Sequence, residues 1–73
     1  MSGIERLSTA LNLLKTFDKH IHIQLIGELG WASIPEAYEF MESWVVDSHR
    51  IDIYKLKGNI IVNISDVGLF QIM

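Results

Sequence analysis

The sequence predicts a small α+β domain, three helices closed by a C-terminal β-hairpin, and three observations carry that prediction. Apolar residues recur at spacings of three and four over residues 4–17 and again over 34–45, the period of a helix with one buried face. Residues 50–65 alternate instead, as strands do, around Gly58-Asn59. Between the helical stretches stands Leu29-Gly30-Trp31, with glycine where a helix commonly ends in a left-handed cap.

The first helix is expected over residues 4–19. Ile4, Leu7, Leu11 and Leu14 form one stripe, and Ala10, Leu13 and Phe17 form a second beside it. Two stripes make a wide apolar face. Either the helix sits centrally in its own domain, or Leu7, Leu11, Leu13, Leu14 and Phe17 meet a second chain in a homodimer. His20-Ile21-His22-Ile23-Gln24 alternates and predicts a short strand; Leu25, Ile26 and Leu29 then return to helical spacing. An all-strand reading of 20–27 competes with that switch.

The next helix is expected from Ser33 to about Ser48, so that residues 21–48 form a helix-turn-helix. Ser33 suits an N-cap with Glu36 three residues on, as in a capping box, and Pro35 lies in the first turn. Ile34, Ala37, Tyr38, Met41 and Val45 give one apolar face, with Phe40 and Trp44 beside it. In the hairpin of 50–65, Ile51, Ile53, Val62 and Ile64 share the face that packs on the helices, and Gly58-Asn59 predicts a type II′ turn. The tail, 66–73, is apolar to its end. Leu69 and Phe70 are expected to add a strand or to dock on the dimer partner.

Composition narrows the class of protein. The 73 residues suffice for one domain, 1–73, with a marginal core. Yet 49% of them are hydrophobic, which suggests that another chain covers part of the surface. Cysteine is absent, which excludes disulfides and cysteine-ligated zinc and fits the cytoplasm. No apolar run approaches a membrane span, and no signal peptide is evident. The net charge of −3 conceals a split. Residues 21–47 carry Glu28, Glu36, Glu39, Glu42 and Asp47 with no Lys or Arg, while Arg50, Lys55 and Lys57 make the hairpin basic.

The order helix, short strand, helix, Leu29-Gly30-Trp31 turn, helix, hairpin resembles the winged-helix superfamily over residues 5–65. Residues 41–50, MESWVVDSHR, with the hairpin after them, are similar to the winged-helix end of PCI domains, found in the proteasome lid, the signalosome and a translation-initiation factor. That resemblance implies assembly with other subunits and transfers no functional residue.

Two functions follow from different features. The first is a non-catalytic protein-protein assembly module, binding through Trp31, Glu36, Phe40 and Trp44, aromatics rimmed by carboxylates. The plain alternative is that these aromatics are core. The second is a small dimeric DNA-binding regulator, with Ser33, Arg50, Lys55 and Lys57 as phosphate contacts. Its presumed recognition helix has four acids and no base, which opposes phosphate binding, so a protein partner is favoured over DNA. His20, His22 and His49 form at most a weak metal pattern, outweighed by the reading of solvated histidines. No catalytic motif, cofactor or small-molecule substrate is indicated.

Overall fold

The structure is a computed structural model and describes residues 2–27 and 36–73. Its elements are α1 (Gly3–Leu14), β1 (Ile23–Gly27), β2 (Glu39–Val46), β3 (His49–Leu56), β4 (Asn59–Ile64) and β5 (Gly68–Ile72). The strands form one antiparallel sheet in the order β1-β5-β4-β3-β2. Among the described residues this is a mostly-β domain with one short helix, which overturns the expected three helices with a hairpin wing.

The helix starts as its sequence dictates. Ser2 is the N-cap, its hydroxyl oxygen accepting from the Glu5 N–H at 3.1 Å while the hydroxyl approaches the Glu5 carboxylate at 3.2 Å. It ends at Leu14, well before the expected residue 19, and the Thr16 hydroxyl donates to the Leu13 carbonyl at 2.7 Å just past the end.

One face of the sheet packs under α1. Ala10, Leu13 and Leu14 of the helix meet Ile51, Val62, Ile64, Val67 and Phe70, with Leu7, Ile23, Leu25, Ile53 and Ile72 around them. The pairs Ile51–Ile64, Ile53–Val62 and Val62–Phe70 stand directly across from one another and therefore share that face. Ala10, Leu13 and Leu14 of the helix, with Leu7 beside them, are thus covered by its own sheet, while Ile4 and Phe17 stay exposed. The opposite face carries a second cluster, Tyr54, Ile61 and Leu69 with Tyr38 against it.

The tail is the largest surprise of connectivity. Residues 68–72 form β5, an interior strand between β1 and β4, and Leu69 and Phe70 are buried on opposite faces. The hairpin of β3 and β4 is present, but its turn is Lys57-Gly58, with φ of 49° and 84°, rather than Gly58-Asn59. Both central residues have positive φ, so the turn has the left-handed form of type I′.

The helix expected from Ser33 to Ser48 is not formed over its described part. Residues 36–38 are turn and bend, and Glu39–Val46 is a strand. The short helix expected after residue 24 gives way to β1 over Leu25, Ile26 and Gly27. Leu29, Gly30, Trp31 and Ser33 lie outside the described residues.

Candidate functional site

Strand β2 is positioned by a tight turn. Asp47 and Ser48 have φ of 49° and 68°, the left-handed pair of a type I′ turn, and Val46 pairs with His49 across it. The turn bonds the Val46 carbonyl to the His49 N–H, which makes this a hydrogen-bonded pair. The next pair, Val45–Arg50, is then a non-bonded one. Arg50 shows this directly: its N–H donates to Ser65 Oγ at 2.8 Å, and its carbonyl accepts from the Ser65 N–H at 2.9 Å. With the Arg50 backbone directed toward Ser65, the N–H and C=O of Val45 point away from the sheet. Ser43, two residues back, points its backbone groups the same way.

The outer strand is also greasy. Phe40 is 53% exposed, Met41 49%, Trp44 44% and Val45 76%. A β-bulge places Met41 as an extra residue between the Phe40–Tyr54 and Glu42–Ile53 pairs, so the regular ladder runs from Glu42 to Val46. Each ring leans on a neighbour. Trp44 lies 5.6 Å from Phe17, beyond the end of α1, with the planes tilted by 53°. Phe40 meets Tyr54 edge-on at 5.6 Å on the opposite face. Beneath Trp44 a cavity of about 180 Å³ is lined by Leu14, Phe17, Ile21, Ile51 and Ile53, with Glu42 as its one charged lining residue among those described.

Behind β2, on the face away from α1, sits a polar group that the sequence reading did not single out. Asp52 is buried and accepts from Arg50 Nε at 3.0 Å; the arginine side chain is 56% exposed. Ser43 Oγ is 3.4 Å from the same nitrogen. Asn63 stands opposite Asp52 and is buried, and its Oδ1 has no hydrogen-bond partner among the described residues. Burial, with the Asp52 charge adding to it and Arg50 opposing, pushes the Tyr54 phenol above its ordinary value of 10.0.

The residues proposed from sequence separate cleanly. Phe40 and Trp44 both stand exposed on strand β2 but on opposite faces of the sheet, with Glu36 exposed in the turn before it. Leu13, Leu14 and Phe70 fill the core, Leu7 packs against it, Leu11 is half-buried, Leu69 is buried on the other face, and Phe17 reaches Trp44. Arg50 is bridged to Asp52, Lys55 is exposed on β3 and Lys57 occupies a turn. The described residues 36–48 form no recognition helix of the kind the duplex-binding expectation placed in a groove.

His20 and His22 line a groove of about 610 Å³ with Lys15 and Lys19, while His49 Nδ1 donates to the Ser65 carbonyl at 3.0 Å. Among the described residues, no three His, Asp or Glu side chains come together as metal ligands. No helix among them is long and apolar enough to cross a membrane. No protein-family model, curated protein or solved structure matches this chain.

Proposed function

We propose that this protein is a non-catalytic assembly module that takes up a strand of another protein chain along β2. The observation that carries the reading is the edge itself: an eight-residue outer strand with large apolar side chains in solvent. Ser43 and Val45 add outward backbone donors and acceptors. An unpaired strand edge is a template for another strand: backbone hydrogen bonds supply affinity, and side chains alternating on two faces supply selectivity. Natural sheets commonly blunt such edges with charges, proline or a bulge; β2 has no lysine or proline, and its bulge and both glutamates leave Ser43–Val46 regular and uncharged.

The test is a photo-crosslinking residue at Val45, compared with one at Asn59 in the exposed β3–β4 turn. The reading requires a protein adduct at 45 that maps to an extended segment, disappears when the β2 edge is blocked, and has no counterpart at 59. Absence of any adduct at 45 sinks it.

A further inference from the structure

We propose that the occupant of the β2 edge is a second copy of this chain, paired antiparallel about a two-fold axis at Trp44. This rests on the assembly reading of β2 and names its partner.

The bulge at Met41 and the turn at Asp47 bound a regular stretch, Glu42–Val46. Its outward backbone groups belong to Ser43 and Val45. A strand pairing with its own copy forms hydrogen bonds only if outward residues meet outward residues, which puts the axis on residue 43, 44 or 45. Only the axis at Trp44 pairs all five residues. Ser43 then faces Val45 of the second copy, twice, as hydrogen-bonded pairs. Glu42 faces Val46 of the second copy, and the two Trp44 residues face each other.

The side chains agree with that register. Trp44 and Phe17, both exposed in the single chain, meet on the helix-facing side at the axis, and exposed Val45 lies beside it on the opposite face. The two Trp44–Phe17 pairs become one cluster of four rings, a favourable cross-strand arrangement. The acidity of the strand does not oppose it. The two Glu42 carboxylates are four residues apart along the strands, about 13 Å at a strand's rise per residue. That exceeds the screening length of about 8 Å at physiological salt. An axis at Ser43 would instead set Glu42 against Trp44 and leave Val45 facing the bulge. The resulting ten-stranded sheet keeps both helices on one face. It is an isologous contact, the commonest closed form of protein assembly.

The experiment compares the native chain with Ser43→Pro by sedimentation over a hundredfold range of concentration. The Ser43 N–H points out of the sheet, so proline removes no β2–β3 hydrogen bond and is tolerated at such an edge. The native chain is expected to move from monomer to dimer. The variant should keep its circular dichroism and dimerise at least a hundredfold more weakly. Should Ser43→Pro not fold, Val45→Lys tests the same edge through an exposed side chain.

Register is read separately by disulfide trapping, which is clean because the chain has no cysteine. Mixing Ser43→Cys with Val45→Cys should give a mixed disulfide in excess of either self-disulfide. A dimer that survives both edge variants, or preferential Ser43→Cys self-linking, overturns the proposal. A native chain that stays monomeric also overturns it. In that case an adduct at Val45 with a different protein leaves the assembly reading standing, and no adduct removes both.

Discussion

Replacing Phe70 by alanine is the most decisive perturbation of the fold. Phe70 is fully buried at the middle of β5, opposite Val62 on one side and Leu25 on the other, beneath α1. Truncation removes an aromatic payload and leaves a cavity that a close-packed sheet fills only partly, at a cost of about 3–5 kcal/mol. A domain of this length has a total stability of roughly 4–11 kcal/mol. Phe70→Ala should therefore lose about a quarter or more of that stability, and in the lower part of the range the chain is largely unfolded at room temperature. Urea unfolding followed by far-ultraviolet circular dichroism measures the loss. It should be the same at high and low protein concentration, because every contact made by Phe70 lies within one chain. A loss under about 1 kcal/mol, where core truncations of this kind cost several, would refute the placement of β5 inside the sheet. So would a loss that protein concentration reverses, which would return Phe70 to a dimer interface.

Ser48 holds φ of 68° in a type I′ turn, so Ser48→Gly should stabilise the protein by about 1 kcal/mol in the same urea assay. Gly68 is the opposite case. Its φ is 150°, and an added Cβ would stand 3.2 Å from the Gly27 carbonyl oxygen, so Gly68→Ala should lower stability by about 1–3 kcal/mol and shift the thermal midpoint down. Arg50→Ala removes a donor to buried Asp52 and should cost about 1–3 kcal/mol; Asp52→Asn added to that variant should recover part of the loss, as a double-mutant cycle will show. Tyr54 keeps its proton to higher pH folded than unfolded, so its contribution is complete below pH 10.0 and is lost as pH rises through the folded value. Stability measured across that alkaline range should fall less steeply in Tyr54→Phe.

The hairpin of β3 and β4 was legible because its alternation is unbroken: Ile51, Ile53, Val62 and Ile64 do share the helix-facing side. Its turn was misplaced by one residue, because Gly58-Asn59 presents glycine first and invites a type II′ reading, whereas Lys57 adopts the left-handed conformation without being glycine. Strand β5 was half-legible. Its apolar run demanded cover, but nothing local says that Gly68–Ile72 enters the sheet between β1 and β4, a pairing made across most of the chain. For the candidate site, the helical spacing of Phe40 and Trp44 points to the wrong element, because both lie on strand β2.

The cause of that error is physical and lies in one residue. A strand announces itself by period two, and a one-residue bulge shifts the phase of that period. Met41 does so in β2: Phe40 lies on the face of Tyr54 before it, while Glu42 and Trp44 lie on the face of Ile53 and Ile51 after it. Read as a string, Tyr38, Met41 and Val45 then fall at spacings of three and four, and Phe40 and Trp44 at four, which is the signature of a helix. The turn at Asp47-Ser48 hides the end of the strand as well, because it lacks the glycine that usually marks type I′. The adjacent β-branched pair Val45-Val46 was the remaining strand signal, and alone it is weak against the capping pattern upstream. The same bulge gives the edge its function under the assembly reading. By interrupting the regular register between Phe40 and Glu42 it leaves a short regular template centred on Trp44, so the residue that disguised the strand also sets where another strand can pair.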